Sequence, residues 1–228
     1  MFKTLKTLLP DRNIPLPILN GPFRGATISM NPRCSLRKVL GIYEHELNGW
    51  IEATLPRVST ILDVGANDGY FTFGCLAAFR RLGKPGTIVA FEPIQEYFMD
   101  LQSSLKNQSE SSVNVHLKNY LVGSEINPEM ITLDTLIHQG DAVQVPQNAL
   151  IKIDVEGAEL EVIAGASLWL NPQNFFLIEV HEFSFLEILT QQFLDRGIRL
   201  KQVNQQPLPV LGREGRSEFN WWLVSDAV

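Results

Sequence analysis

Short apolar runs alternate with segments of helical periodicity along most of the chain. The apolar runs predict strands near residues 60–64, 87–91, 113–118, 149–154, 174–181, 198–203 and 218–224. Helices are predicted between them, near residues 70–82, 94–107, 157–170 and 184–196. Strands that alternate with helices in this way predict a mostly parallel sheet with helices on both faces.

Three of the predicted strands define the layout of this sheet. The nearly continuous apolar runs Leu150–Ile153 and Phe175–Ile178 are typical of central strands that are buried on both sides. The last run, Phe219–Val224, follows a loop rich in Gly and Pro, so we expect it to pair antiparallel with the strand before it. The predicted fold class is therefore α/β, with a Rossmann-like sheet of seven strands that is mostly parallel and has an antiparallel C-terminal strand.

The N-terminal quarter has a different pattern. Residues 10–36 contain five prolines and scattered glycines, so regular structure is not expected before Leu36. From Leu36 to Leu55 the apolar positions have helical spacing, which predicts one or two helices that end at Pro56. We expect a single domain overall, in which residues 1–56 form an arm and helices that pack on the core, and residues 57–228 form the sheet domain.

The run from Ile61 to Phe71 predicts a buried strand that breaks into a glycine-bounded turn and then a helix. Gly65 and Gly69 permit backbone conformations closed to other residues, and without side chains they let a ligand approach the peptide groups. Asp63 is placed at the carboxyl end of the strand, where open α/β sheets bind their ligands. This segment predicts a site for a nucleotide-like ligand.

The turn departs from the dinucleotide fingerprint G-x-G-x-x-G, because Asn67 and Tyr70 replace its second and third glycines. A pyrophosphate would be crowded there, whereas S-adenosylmethionine, a nucleoside with an amino-acid tail, suits the turn better. Glu92 ends the next predicted strand, 23 residues beyond Gly69, about where an acid accepts hydrogen bonds from both ribose hydroxyls. The alternative is an ordinary strand-to-helix turn with a solvated acid at the end of the next strand.

The composition of the chain narrows the possible classes of protein and its expected cellular location. With 228 residues and 45% hydrophobic residues the chain can fill the core of one α/β domain. A net charge of −6 argues against a nucleic-acid groove, which relies on Lys and Arg. Two cysteines, Cys34 and Cys75, are too few for a disulfide framework, and no signal peptide or apolar stretch of membrane-spanning length is evident. We therefore expect a cytoplasmic protein, although Met1–Leu9 could form a weak amphipathic membrane anchor.

Four motifs occur in one order along the chain: Asp63–Gly69, Phe91–Pro93, Leu150–Glu159 and Ile178–His181. Together they resemble the FkbM family of S-adenosylmethionine-dependent methyltransferases, and the sequence KIDVEGAE within the third is the most specific of them. The resemblance implies a Rossmann-like methyltransferase fold and methyl transfer, usually to an oxygen of a sugar, polyketide or other small natural product.

The resemblance also bears on the cofactor site. Asp68 stands where the family often has an apolar residue, and Asn119 matches only loosely a polar position on the adenine side. The residues that we expect to bind S-adenosylmethionine are Asp63, Gly65, Asn67, Gly69, Glu92, Pro93, Asn119 and Asp154.

The candidate catalytic residues follow the fourth and fifth predicted strands. Asp154 should face the methyl-donor cleft, and Lys152 shares its strand face, where it could pair with Asp63 or Glu179. A structural ion pair is the alternative role for Lys152. His181 is placed at the ligand edge of the sheet, so we expect it to act as the general base that removes the proton of a hydroxyl. A structural hydrogen bond is the alternative for His181.

A binding site for a divalent metal is the competing interpretation of the acidic residues and His181 at this edge of the sheet. Asp154, Glu156, Glu179 and His181 are residue types that could bind magnesium or manganese. Glu156 could instead cap the helix that follows it. The sequence leaves these alternatives open, and sensitivity to a chelator would separate them.

The leading hypothesis is thus an S-adenosylmethionine-dependent O-methyltransferase that acts on a sugar, a glycolipid or another small or glycosidic acceptor. We expect the proline-rich arm and the Gln205–Arg216 loop to shape the acceptor pocket. The alternatives are a non-catalytic ligand-binding or scaffold protein with this fold and, with less support, an NAD-dependent oxidoreductase. The sequence predicts neither the acceptor nor the oligomeric state.

Overall fold

The structure is a computed structural model that describes residues 9–109, 112–138, 146–208 and 221–226. Its strands are β1 (Ile14–Pro17), β2 (Thr27–Met30), β3 (Thr60–Val64), β4 (Gly86–Phe91), β5 (Val113–Lys118), β6 (Leu121–Val122), β7 (Met130–Ile131), β8 (Ala149–Ile153), β9 (Phe175–Val180), β10 (Leu200–Val203) and β11 (Trp221–Ser225). Its α-helices are α1 (Leu36–Val39), α2 (Asn48–Thr54), α3 (Tyr70–Arg81), α4 (Gln95–Lys106), α5 (Thr135–His138), α6 (Glu159–Ala164) and α7 (Phe183–Leu194). Short 3-10 helices span His45–Leu47 and Leu55–Arg57.

The central sheet confirms the predicted fold class. Its strand order is β10-β11-β9-β8-β3-β4-β5. The pairs from β9 through β5 are parallel, whereas β11 lies antiparallel between β9 and β10. The predicted strand at 218–224 corresponds to β11, and its first residues lie outside the described part of the chain.

Two apolar clusters cover the two faces of this sheet. One contains residues of α3 and α4 with the N-terminal segment, including Phe73, Leu101 and Ile28. The other contains residues of α5, α6 and α7, including Phe193, together with Trp169 from the segment after α6. Every residue of β3, β8 and β9 is buried, as predicted for central strands.

The expectation that residues 10–36 lack regular structure was wrong, because β1 and β2 form an antiparallel pair there. Pro15 faces Ser29 and Pro17 faces Thr27 in this pair. Alternate residues of a strand present their nitrogen atoms on the same side, so both prolines can occupy positions that need no N–H donor. A strand with one free edge therefore accommodates prolines that the sequence pattern treats as breakers.

Helix α6 is also shorter than predicted, since it ends at Ala164. A side chain at Gly165 would overlap the carbonyl oxygen of Gly123. Beyond it, the carboxylate of Asp134 accepts the backbone N–H groups of Ser167 and Leu168, each at 3.0 Å. A side chain thus satisfies donors that would otherwise bond within a longer helix.

The described part of the N-terminal segment packs on the sheet domain. Ile18, Phe23 and Ile28 are buried in the cluster that covers α3. The guanidinium of Arg81 donates to the carbonyl oxygens of Arg24 and Pro22, both at 2.8 Å. The division of the chain at residue 56 stays a prediction. Within the described ranges, none of the helices has the length and apolar character that crossing a membrane requires.

Candidate active site

A cavity of about 380 Å³ opens at the carboxyl ends of β3, β4 and β8. This is the edge of an open parallel sheet at which ligands bind. Its polar lining residues are Gly65, Asn67, Glu92, Asp154 and Glu156. Its apolar lining includes Ile94, Tyr97, Tyr120, Leu121 and Val122. An apolar cavity with a few converging polar groups is typical of a small-molecule site.

The turn between β3 and α3 requires its glycines for different reasons. Gly65 has a φ of +82°, and a side chain there would overlap the carbonyl oxygen of Asp154. Gly69 has the same φ, and its Cβ would lie 2.6 Å from the ring of Phe73. Asn67 is left-handed as well, with a φ of +48°, a conformation that Asn tolerates better than most residues. The substitution of Asn for the second glycine of the fingerprint is therefore compatible with the turn.

Glu92 follows β4 and is held by main-chain donors. Its two carboxylate oxygens accept the backbone N–H groups of Asn67 at 2.8 Å and Ile94 at 2.9 Å. Only 4% of the residue is exposed, although it lines the cavity. Since a carboxylate has about four acceptor sites, each oxygen retains capacity for a further donor.

Pro93 and Asn119 are placed around Glu92 in different ways. Pro93 lines the cavity directly. The side-chain amide of Asn119 donates to the carbonyl oxygens of Glu92 at 2.8 Å and Pro93 at 3.1 Å. Asn119 is absent from the cavity lining, so it fixes the segment after β4 from outside.

Asp63 is fully buried behind the turn and does not line the cavity. Its Oδ2 atom accepts the hydroxyl of Thr72 at 2.5 Å, and its Oδ1 lies 3.3 Å from Nζ of Lys152. Burial raises the pKa of Asp63, and the charge of Lys152 and the Thr72 hydrogen bond only partly oppose this. Asp63 therefore joins β3, α3 and β8 beneath the glycine turn.

Lys152 is a second buried group beneath the same turn. Its ammonium donates to the carbonyl oxygen of Gly65 at 3.0 Å and lies 3.2 Å from Oδ2 of Asp154. Burial alone would lower the pKa of Lys152, but the charges of Asp154, Asp63 and Glu44 raise it. A lysine that stays protonated cannot accept a proton, so Lys152 can only position and neutralise its neighbours.

Asp154 connects the cavity to the next group of polar residues. It lines the cavity, and its Oδ1 lies 3.9 Å from Nε2 of His181. Burial raises the pKa of Asp154, but the charge and hydrogen bond of Lys152 outweigh it and hold the pKa below its usual range. Asp154 is therefore ionised at neutral pH.

His181 follows β9 and has a partner on each ring nitrogen. Its Nδ1 lies 2.6 Å from Oε1 of Glu159, and its Nε2 lies 3.4 Å from Oε2 of Glu156. Burial lowers the pKa of His181, but the hydrogen bond to Glu159 and the charges of Glu179, Glu156 and Glu159 raise it overall.

The candidate metal ligands come together only in part. One ligand atom each from Asp154, Glu156 and His181 lies within 4.8 Å of the others. Glu179 is buried on β9 and does not belong to that group of described residues. The Glu156 side chain is 86% exposed and makes no capping bond to α6. Its backbone is left-handed, with a φ of +52°.

Sequence reasoning missed Glu159, which is fully buried at the start of α6. A helical signal was available, because Val162 and Ile163 lie three and four residues further on and mark the inner face. It also missed Thr72, which is buried. The cavity residues Ile94 and Tyr97 were missed as well; both are exposed and follow the Glu92 motif in the sequence.

The proline-rich arm was expected to shape the acceptor pocket. None of the described residues before Val64 lines the cavity. The arm reaches the glycine turn instead, where Nζ of Lys38 lies 2.5 Å from Oδ2 of Asp68. Residues 209–216 of the predicted acceptor loop and residues 1–8 of the possible anchor lie outside the described part of the chain.

One segment of the chain is similar to a known family. Residues 100–200 match the family model of the methyltransferase FkbM domain. This segment, 101 of the 228 residues, is similar to the FkbM methyltransferases. The matched segment contains Asn119, Asp154, Glu159 and His181, whereas the glycine turn and Glu92 precede it.

Solved structures show the same fold at low identity. The crystal structure of a methyltransferase FkbM from Methylobacillus flagellatus matches 99% of the chain at 17% identity with a TM-score of 0.56. The chain covers only 58% of that protein. A putative methylase from Haemophilus influenzae matches 93% of the chain and is itself covered to 98%, at 15% identity and a TM-score of 0.54. No curated protein shows significant sequence similarity to this chain.

Proposed function

We propose that the protein transfers a methyl group from S-adenosylmethionine to a hydroxyl oxygen of a sugar, a glycolipid or another small natural product. The observation that carries the proposal is the position of Asp154. Its carboxylate lines the cavity and also lies beside His181, so a donor site and a proton acceptor share one boundary.

The cavity suits a nucleoside with a positive charge. Glu92 offers a carboxylate for ribose hydroxyls, and Ile94, Tyr97 and Tyr120 offer an apolar surface for a base. None of the described lining residues is Lys or Arg, whereas three are acidic: Glu92, Asp154 and Glu156. A sulfonium is favoured over a pyrophosphate in these surroundings, which argues against an NAD-dependent oxidoreductase.

The glycine turn supports the same ligand. Gly65 lies against Asp154 without a side chain, so a ligand can approach the main chain of the turn closely. S-adenosylmethionine supplies a methyl group on a sulfonium: the acceptor oxygen bonds to the methyl carbon, the sulfur–carbon bond breaks, and its electron pair stays on sulfur.

The residues of the chain would handle the acceptor and its proton. A hydroxyl is a poor nucleophile at neutral pH, and a positioned base removes its proton as the new bond forms. We assign that role to Nε2 of His181. Asp154 contributes a negative charge beside the donor, and Lys152 holds Asp154 in place through the 3.2 Å ion pair.

A metal-assisted form of the same reaction is the second candidate. It is favoured by the approach of Asp154, Glu156 and His181 to within 4.8 Å. A divalent cation bound there would bind the acceptor oxygen and lower the pKa of the acceptor hydroxyl. The reaction would then not need His181 as its base.

Calorimetric titration tests the donor assignment. S-adenosylmethionine, S-adenosylhomocysteine and NAD are titrated into the wild type, into Glu92→Gln and into Glu96→Gln. Glu96 is exposed on α4 and does not line the cavity, so its variant is a charge-matched control. We expect micromolar binding of both adenosyl ligands, weakened at least about tenfold only in Glu92→Gln, which corresponds to about 1.4 kcal/mol.

The same titration separates the alternatives. Binding of NAD alone, or of none of the three ligands, would overturn the proposal. Adenosyl binding has to be followed by transfer of a labelled methyl group to hydroxyl acceptors, because a scaffold protein with this fold could bind the donor without turnover.

A further inference from the structure

The carboxylate of Glu159 lies against the imidazole of His181. It is fully buried at the first residue of α6. Its Oε1 accepts the backbone N–H of Gly157 at 3.0 Å and lies 2.6 Å from Nδ1 of His181. The carboxylate is held by a main-chain donor as well as by the imidazole. Its position is therefore fixed by two contacts.

This contact selects one tautomer of the imidazole. A neutral histidine carries a proton on one nitrogen and a lone pair on the other, and an ionised carboxylate only accepts hydrogen bonds. Nδ1 must therefore carry the proton that Glu159 accepts. The lone pair is then on Nε2, which faces Asp154 and Glu156, the two acidic cavity residues of the segment after β8.

We propose that Glu159 is a positioning residue, which holds His181 in the Nδ1–H tautomer with Nε2 directed at the acceptor hydroxyl. The proposal rests on the proposed function, in which His181 is the base. The hydroxyl O–H bond breaks, its proton goes to the lone pair of Nε2, and the oxygen electron pair forms the bond to the methyl carbon. The resulting imidazolium keeps its Nδ1–H on Glu159, whose negative charge stabilises it until Nε2 loses the proton to solvent.

Burial of Glu159 supports a role beyond stability. Its Oε2 is buried and has no hydrogen-bond partner among the described atoms. A buried carboxylate oxygen without a partner is costly, and an apolar residue at the start of α6 would avoid that cost. An ionised group that orients a catalytic histidine explains why the carboxylate is there.

The surroundings of His181 also predict a pH signature. Acidic groups face it from three elements: Glu159 on α6, Asp154 and Glu156 after β8, and Glu179 on β9. Their combined effect raises the pKa of His181. Removal of the Glu159 charge should move that pKa toward the ordinary value near 6.5.

The test uses the full chain labelled with ¹⁵N-histidine and a pH titration of the His181 ring nitrogens by NMR. We expect the wild type to show the Nδ1–H tautomer above its pKa, and Glu159→Gln to titrate at a lower pH. Glu161→Gln is the matched control, because Glu161 lies on the same helix but is exposed. The wild-type spectrum decides the tautomer even where Glu159→Gln fails to fold.

Kinetics provide the second measurement. Glu159→Gln should lower kcat by about 10²- to 10⁴-fold, leave donor affinity unchanged and shift the acidic limb of the kcat/KM profile to lower pH. Glu159→Asp keeps the charge and should restore part of the loss, whereas Glu161→Gln should match the wild type.

The outcomes distinguish this inference from the proposed function. An Nε2–H tautomer in the wild type, or a Glu159→Gln variant with unchanged kcat and pH profile, would overturn the role of Glu159 alone. A wild type that binds the donor but methylates no hydroxyl acceptor would overturn the proposed function, and the role of Glu159 with it, whatever the tautomer.

Discussion

The carbonyl oxygen of Asp154 occupies the space in which residue 65 would carry a side chain, so only glycine fits there. This contact joins the turn after β3 to the segment after β8, the two segments that meet at the cavity. Lys152 strengthens the junction, since its ammonium bonds the carbonyl oxygen of Gly65 and pairs with Asp154. Two chain segments that border the cavity are therefore joined by this one contact.

Gly65→Ala should weaken the donor site strongly. Its Cβ must displace main-chain atoms of Asp154, so we expect binding of S-adenosylmethionine to fall at least about tenfold in calorimetry. Gly25→Ala is the matched control, because Gly25 also has a positive φ, +89°, but nothing lies within 4 Å of the added Cβ. Both variants should lose about 1–2 kcal/mol of stability from backbone strain, and only Gly65→Ala should lose more. Equal loss in both would show that the contact with Asp154 carries no weight.

Thr72→Val should destabilise the fold because it removes a donor to a buried carboxylate. The hydroxyl of Thr72 is a close partner of Asp63, at 2.5 Å. We expect the free energy of unfolding in urea to fall by about 1–3 kcal/mol. In Thr190→Val, an exposed hydroxyl on α7 that donates to the carbonyl of Leu186 is lost, and the change should stay within about 0.5 kcal/mol. A smaller loss of unfolding free energy in Thr72→Val than in Thr190→Val would contradict the stabilising role of the hydrogen bond to Asp63.

The sequence predicted the sheet because its central strands are apolar on both sides. Ile61 and Leu62 belong to opposite clusters, as do Leu150 and Ile151, so neither face of these strands needs a polar residue. The prolines of β1 gave that segment the pattern of an irregular arm, because whether a strand tolerates Pro depends on which of its edges is free.

The site was less predictable than the sheet. Strand ends placed Asp63, Glu92, Asp154 and His181 at one edge of the sheet, since parallel strands end together. The pairing of His181 with Glu159 depends on how α6 packs against the end of β9, and that packing is a tertiary property. For the same reason, residue spacing could not show that Asp154, Glu156 and His181, without Glu179, place ligand atoms within 4.8 Å of one another.

Stability should depend on the protonation of His181. Its pKa in the folded protein is raised by the hydrogen bond to Glu159 and by neighbouring carboxylates, despite the opposing effect of burial. A raised folded pKa stabilises the protein fully below the unfolded value of about 6.5, and the contribution is lost as pH rises through the folded value. Urea unfolding of the wild type and of His181→Gln is measured between pH 5.5 and 9, a range that includes the unfolded pKa of about 6.5. The stability advantage of the wild type should shrink as pH rises. An advantage that grows with pH would mean that the folded pKa is lowered.

Treatment with a chelator should leave methyl transfer intact if His181 is the base. Asp154, Glu156 and His181 could hold a divalent cation, but the Glu156 side chain is 86% exposed and Asp154 is already paired with Lys152. A cation there would have to compete with the Lys152 ammonium for one of its carboxylate ligands. We therefore expect activity after dialysis against EDTA to equal that of the untreated protein, and Glu156→Gln to retain it. Loss of activity that magnesium or manganese restores, together with loss in Glu156→Gln, would instead assign the reaction to a metal and leave His181 as one of its ligands.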